Sequence, residues 1–188
     1  IRHIDVTADD DIVVTATAPP RAIVYWFDPG GTLLRRIEIT PDTLPVPTEV
    51  SASPILESIR PDHDLRRLYL KVNYYVRNGP RAEESGSVMD RLMSRIYWSS
   101  IDDGRYEGFV DVPRNVKRDS VFGSLAEEEE EYHYEFVGAA SDEHLFLLSQ
   151  ESRRQTQLLI LHTSGKVVRR RTLDIDYDEI VMRDLHLS

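Results

Sequence analysis

Hydrophobic and polar residues alternate along most of the chain, and this period of two predicts β-strands with one buried face. The clearest example is the segment 66–76, in which the apolar positions of one face are Leu68, Leu70, Val72 and Tyr74. Apolar residues recur at helical spacing best in the segment 83–95. We expect a flexible insertion at 77–86, and a short helix after it. The pattern as a whole predicts an all-β protein.

The predicted strands fall into three similar groups of four, and a turn that contains glycine precedes the last strand of each group. The turn glycines are Gly31, Gly104 and Gly165. In chain order the strands are 1–8, 12–16, 22–27 and 33–39, then 54–60, 65–76, 95–100 and 106–112, then 134–140, 144–150, 157–162 and 167–175. The last strand of a group carries charges, such as those of Arg169–Arg171, which are typical of an exposed sheet edge.

Two connectors join the groups. The proline-rich segment 40–54 predicts an extended linker between the first and second groups. The segment 113–131 predicts a second linker, which ends in the five glutamates Glu127–Glu131. We interpret this acidic run as a solvated face, with binding of a cation or of a basic partner as the alternative.

Two of the turns have a sequence that is known from repeat proteins. In the segments 27–33 and 162–167 an apolar strand is followed by Asp or Ser, by Gly, and by a second apolar strand. These segments resemble the hairpins of β-propeller repeat proteins of the NHL-like or six-bladed bacterial kind, although the motifs are degenerate. The resemblance implies a propeller-like fold with four-stranded antiparallel blades.

That resemblance also implies a domain organisation. We expect a single propeller-like domain at 1–188, with blades at about 1–40, 54–112 and 134–176 and the start of a further blade at 179–188. Propellers close with about four to eight blades. A partial propeller of about three blades therefore implies that further blades complete it, either from residues beyond these or from a partner chain. A β-sandwich built from the same strands is the alternative.

Composition excludes several kinds of chemistry. The chain has 188 residues, a formal net charge of -10 at pH 7 and no cysteine. The acidic balance argues against nucleic-acid binding, since phosphate contacts need a basic surface. The absence of cysteine excludes disulfides, thiolate catalysis and cysteine-ligated zinc. No stretch of 18 apolar residues is present, so no membrane span is expected.

We assign no catalytic, cofactor-binding or metal-binding residue, and we expect no cofactor. The six histidines are scattered, and no nucleophile, phosphate or zinc motif is present. The segment 174–179 imitates the opening of a calcium loop, but Glu179 and Leu185 occupy positions that require Gly and Glu. Several aromatic residues are interpreted as core, with a ligand groove as the alternative for the last four: Tyr25, Trp26, Phe27, Tyr74, Tyr75, Tyr132 and Tyr134.

The functional hypotheses come from two classes. The first is a non-enzymatic binding or scaffold protein that presents loops on a β-propeller frame, with a protein partner or the remaining blades as its contacts. The alternative is a propeller hydrolase or lyase, whose central-channel site is completed by residues outside this chain and would gather polar side chains of first strands, such as His3 and Glu57. The resemblance to bacterial envelope propellers implies a periplasmic or extracellular protein, with a cytoplasmic location as the alternative.

Overall fold

The predicted all-β class is confirmed. The computed structural model describes residues 3–7, 9–18, 20–47, 54–62, 67–76, 91–118, 129–140, 142–152 and 155–174. Across these ranges the regular structure consists of β-strands and one short 3-10 helix at Pro41–Thr43. The strands form three four-stranded sheets, in each of which consecutive strands pair antiparallel. Blade-like repeats are compatible with this arrangement.

The strand bounds follow the order of the chain. The first sheet contains β1 His3–Val6, β2 Ile12–Ala18, β3 Arg21–Phe27 and β4 Leu33–Ile39. The second sheet contains β5 Ile55–Asp62, β6 Arg67–Val76, β7 Arg91–Ser100 and β8 Tyr106–Asp111. Two short strands, β9 Asn115–Arg118 and β10 Glu129–Tyr132, pair with each other. The third sheet contains β11 Glu135–Ala139, β12 His144–Ser152, β13 Gln155–His162 and β14 Val167–Asp174.

The chain divides into two compact units. The first unit, Ile1–Asp111, holds the first and second sheets, and the second unit, Val112–Ser188, holds the short strand pair and the third sheet. In the first unit one buried apolar cluster joins both sheets, and Val24, Ile37, Leu70 and Tyr97 belong to it. Removal of these side chains from water is the main force that holds the two sheets together.

The third sheet buries one side chain in two along its central strands. Leu145, Leu147, Leu159 and Leu161 have no exposed surface, as the alternation of their strands predicted. The interpretation of Tyr74 and Tyr134 as core is also confirmed, because their exposed fractions are 0% and 3%. The side chains of the other two groove candidates, Tyr75 and Tyr132, lie outside the described part of the chain.

All three repeat glycines adopt a backbone conformation that explains why the turns need them. Gly31, Gly104 and Gly165 have φ angles of +84°, +72° and +88°, in the left-handed region that side chains disfavour. The Gly31 N–H donates to the Asp28 carbonyl at 2.9 Å, and the Gly165 N–H donates to the His162 carbonyl at 2.8 Å. In the first and third sheets this geometry is that of three-residue hairpin loops. In the second sheet the Gly104 N–H donates to the Ser100 carbonyl at 2.9 Å, so that loop is one residue longer.

Two local predictions were wrong. Residues 91–94 were expected in a short helix, but they belong to β7, which pairs with all ten residues of β6 from Arg67 to Val76. Long-range pairing outweighs the helical spacing there. The linker expected at 113–131 contains strands β9 and β10, whose register sets Arg118 opposite Glu129 and Lys117 opposite Glu130.

Candidate binding surface

One arginine of the first sheet holds the turn between the last two strands of the second sheet. The Arg35 guanidinium, on β4, donates hydrogen bonds to the carbonyl of Ile101 at 3.1 Å and to that of Asp102 at 3.0 Å. The same nitrogen lies 3.0 Å from the Asp102 carboxylate. Arg35 also lies over the ring of Trp26, 5.5 Å from its centroid. The two sheets are thus joined by a cation that binds two main-chain carbonyls and a carboxylate.

The same face of β4 is covered by apolar contact with that turn. A Cβ atom added to Gly104 would lie 2.8 Å from Cγ2 of Ile37, so the turn backbone rests directly on β4. Ile37 and Ile39 are only 6% and 3% exposed. We call Arg35, Ile37 and Ile39 the covered face of β4.

The remaining arginine of β4 also has an acidic partner. Arg36 lies 2.7 Å from the carboxylate of Glu38, which also contacts Arg21 at 3.0 Å. Hydrogen bonds from Arg21 and then from Arg36 lower the pKa of Glu38. Each arginine on this strand is therefore matched by a carboxylate.

Strand β14 occupies the same place in the third sheet as β4 does in the first. Arg35 pairs with Trp26 directly beside a β-bulge at Trp26/Phe27. Arg169 pairs with Ile160, again directly beside a bulge, at Ile160/Leu161. Counting along the strands, Arg169, Arg171 and Leu173 correspond to the covered face of β4.

The two strands differ in their surroundings. Residues 167–172 of β14 are exposed, on both faces of the strand. Among the residues that the structure describes, no ion pair or hydrogen bond is found for the side chains of Lys166, Arg169, Arg170 and Arg171. Within the described ranges no strand pairs with the outer side of β14. We call these four cations and the open side of the strand the basic edge.

Charge makes the basic edge unusual in this protein. The chain carries a formal net charge of -10 at pH 7, so four exposed cations on one strand and its preceding turn are a local reversal of sign. Val167 and Val168 add apolar surface beside them, at 39% and 46% exposure. A surface of this kind attracts acidic partners and repels basic ones, most strongly at low salt.

A second polar cluster lies at the turns of the third sheet. The ring of His162 accepts hydrogen bonds at Nδ1 from the Ser164 hydroxyl at 2.8 Å and from the Ser164 N–H at 3.1 Å. Its Nε2 lies 3.9 Å from the carboxylate of Glu143. Serine, imidazole and carboxylate in this order are the components of a hydrolase triad.

The turn geometry gives these contacts a structural role. At the matching turn position of the second sheet, the Ser100 hydroxyl accepts the N–H of Asp102 at 3.1 Å. In the first sheet the Asp28 carboxylate accepts the N–H of Thr32 at 2.7 Å. The first residue of each turn thus caps it through its side chain, as His162 does. The contact between His162 and Ser164 is therefore a turn cap.

A buried tyrosine pair holds the connector after the first sheet, residues 41–47, against the second sheet. The hydroxyls of Tyr74 and Tyr97 lie 2.5 Å apart, and Tyr97 donates to the carbonyl of Pro45 at 2.8 Å. Burial, and then the hydrogen bond with Tyr97, raise the pKa of Tyr74. Arg95 lies beside them and pairs with Asp111 at 2.6 Å. These groups hold the connector in place.

Two polar residues of first strands have partners within their own sheets. His3 lies 3.3 Å from the carboxylate of Asp5. The Glu57 carboxylate accepts a hydrogen bond from the ammonium group of the buried Lys71 at 2.6 Å. Across the described residues, no group of three or more His, Asp or Glu side chains is placed to hold a metal ion. Of the calcium-loop candidate at 174–179, Asp174 ends β14 and residues 175–179 lie outside the described residues.

Sequence reasoning identified part of the basic edge and missed its significance. Arg169–Arg171 were predicted to be edge charges, and they lie on the outer strand of the third sheet. The correspondence between these arginines and the covered face of β4 is seen only from the strand registers. Its meaning depends on the contact between Arg35 and Asp102, which lie 67 positions apart in the chain. The aligned turn glycines Gly31 and Gly165 were the signal that allows the two strands to be superimposed in sequence.

Comparison with known proteins gives no family. No protein-family model matches the chain, and no curated protein matches it. Among the residues that the structure describes, no helix is long and apolar enough to cross a membrane.

Proposed function

We propose that this chain is a non-enzymatic binding or scaffold protein, built from propeller-like blades, that recognises an acidic protein surface through the basic edge. One observation carries the proposal: Lys166 and Arg169–Arg171 are exposed and have no acidic partner within the described part of the chain, on the outer strand of a sheet and its preceding turn, in a chain of net charge -10. The arginines of the matching strand β4 both have such partners.

A segment of an acidic protein partner suits the basic edge in two ways. The outer side of β14 offers main-chain N–H and C=O groups, to which the partner's backbone can bind. The arginine forks bind carboxylates with two parallel hydrogen bonds, which an ammonium group cannot do. The basic edge is an open strand surface, and a protein partner can bind such a surface without an enclosed pocket. A protein partner therefore fits better than a small ligand.

The test is a titration of the full chain with a fluorescent ten-residue glutamate-rich peptide, followed by fluorescence anisotropy at low and moderate salt. We expect the triple variant Arg169→Gln/Arg170→Gln/Arg171→Gln to bind about tenfold more weakly or worse, since each exposed ion pair contributes about 0.2–1 kcal/mol. A matched control has the same change in net charge on exposed arginines elsewhere: Arg21→Gln/Arg36→Gln/Arg105→Gln.

Three outcomes contradict the proposal. Binding that weakens equally in the two triple variants reflects net charge alone and assigns nothing to the basic edge. Failure of the peptide to bind at low salt removes the proposed recognition. Tighter binding of a short DNA duplex than of the peptide, lost in the same edge variant, assigns the cations to phosphate groups instead.

A further proposal concerns how the three sheets belong to one fold. We propose that the three sheets are blades of a larger propeller, and the contact of β4 with the turn of the next sheet supports it. We also propose a periplasmic or extracellular location, which rests on the resemblance to bacterial envelope propellers. Fractionation of cells that express the full-length native protein tests the location, and recovery in the cytosol contradicts it.

A further inference from the structure

We infer that the partner element that covers the basic edge is a hairpin turn of a further four-stranded sheet, one that carries two carboxylates. The turn meant here joins the last two strands of a sheet, as residues 100–105 do in the second sheet. This inference rests on the proposed function, and it specifies the shape of the acidic partner.

The first step is the equivalence of two arginines. Arg35 and Arg169 lie at the same register position beside the same bulge. In the first sheet this position binds the carbonyls of Ile101 and Asp102 together with the Asp102 carboxylate. Arg169 has the same reach on an exposed strand. The geometry therefore prepares Arg169 to bind a turn of the same kind.

The next side chain on the same face of the strand differs between β4 and β14. Ile37 meets the bare Gly104 of the bound turn, whereas its counterpart in β14 is Arg171. A buried arginine without an acceptor is strongly unfavourable, so a turn that covers Arg171 must offer a carboxylate there. The partner turn needs one acid for Arg169 and a second for Arg171.

None of the turns in the three described sheets can be the one that covers the basic edge. The turn of the second sheet is held by Arg35. The turn of the first sheet has Pro29 and Gly30 where the second has its acids, and the turn of the third sheet has Thr163 and Ser164 there. None of these turns offers two free carboxylates. The occupant is therefore a sheet other than the three described.

The experiment uses a probe taken from this protein, because its second sheet already contains such a turn. A backbone-cyclised peptide with the sequence of residues 97–108 (YWSSIDDGRYEG) is titrated into the full chain, and a linear peptide of the same composition in scrambled order serves as control. Binding is followed by NMR through the arginine Nε–Hε resonances, which also report weak affinities.

We expect the hairpin to bind at least fivefold more tightly than the scrambled peptide. Arg169→Gln and Arg171→Gln should each weaken it by about threefold to tenfold, since each removes a charged hydrogen-bonding partner. Arg170→Gln is the matched control, because alternation along β14 turns this residue to the opposite face, and it should change the affinity less than twofold. Replacement of both aspartates of the hairpin by asparagine should abolish the preference over the scrambled peptide.

Each other result overturns the inference. Equal affinities for hairpin and scrambled peptide, with equal effects of all three variants, leave the acidic-partner proposal standing but refute the turn geometry. Absence of binding to the hairpin, to the scrambled peptide and to the glutamate-rich peptide refutes both. Concentration-dependent dimerisation that requires Arg169 and that the hairpin does not compete with assigns the edge to a second copy of this chain.

Discussion

Replacement of Gly104 by alanine tests how closely the second sheet's turn packs on the first sheet. The new methyl group would lie 2.8 Å from Cγ2 of Ile37 and 3.7 Å from Cγ1 of Ile39, both of which are buried. The backbone also has a φ angle of +72°, which alanine disfavours. Two separate costs therefore act at this position: backbone strain and steric overlap.

Gly31→Ala isolates the first cost. Its φ angle is +84°, and no atom lies within 4 Å of the added Cβ. We expect Gly31→Ala to lower the free energy of unfolding by about 1 kcal/mol, the strain of a left-handed residue with a side chain. Gly104→Ala should cost about 1–3 kcal/mol more, the usual range for overpacking a well-filled site.

Urea unfolding of the full chain measures both variants, and Ile37→Ala completes a double-mutant cycle. With Cγ2 of Ile37 removed, Gly104→Ala should cost only about as much as Gly31→Ala. Equal costs for the two glycine variants in the native background would refute the close packing of the turn on β4. An unchanged cost of Gly104→Ala in the Ile37→Ala background would refute it as well.

Three further predictions concern the polar groups. Tyr97→Phe should lower the unfolding free energy by about 1–3 kcal/mol in urea titrations, because it leaves the buried Tyr74 hydroxyl without the hydroxyl that it hydrogen-bonds and removes the donor to the Pro45 carbonyl; a loss below about 0.5 kcal/mol would contradict this role. Glu57→Ala should cost about 1–3 kcal/mol in unfolding free energy, because it removes the carboxylate that accepts a charged hydrogen bond from the buried Lys71 at 2.6 Å. Lys71→Met should cost less than about 1 kcal/mol, and the reverse order of the two costs would refute the assignment. The hydrogen bond with His144 lowers the pKa of Asp142, so the carboxylate stabilises the fold above its unfolded pKa of about 3.9, and this contribution is lost as the pH falls through the lower folded pKa. Asp142→Asn should therefore reduce the free energy of unfolding at pH 6, and its effect should shrink as the pH is lowered below the unfolded pKa; an effect that stays constant over the acid titration would contradict the prediction.

Most of the strands and hairpin turns could be predicted from local sequence patterns. Alternation and the glycines Gly31, Gly104 and Gly165 predicted the strands and hairpin turns, because a strand's buried face and a left-handed turn residue leave direct marks in the sequence. The start of β7 could not be predicted in the same way. Its first residues acquire strand structure by pairing with β6, a partner that local spacing does not reveal.

The candidate site depended on contacts that no local pattern contains. The arginines at 169–171 were visible as edge charges, but their meaning comes from Arg35, whose acceptors lie 66 and 67 positions away along the chain. The connector at 41–47 was predicted to be an extended linker, and the contact that fixes it, from Tyr97 to Pro45, spans 52 positions. Such long-range partners are set by the packing of whole sheets.

The most direct test of the account is the anisotropy titration of the full chain with the glutamate-rich peptide, compared between two variants of identical net charge. The account predicts that the edge variant Arg169→Gln/Arg170→Gln/Arg171→Gln loses about tenfold or more in affinity, while Arg21→Gln/Arg36→Gln/Arg105→Gln stays within about twofold of the unaltered protein. Equal affinities of the two variants for the peptide would contradict it.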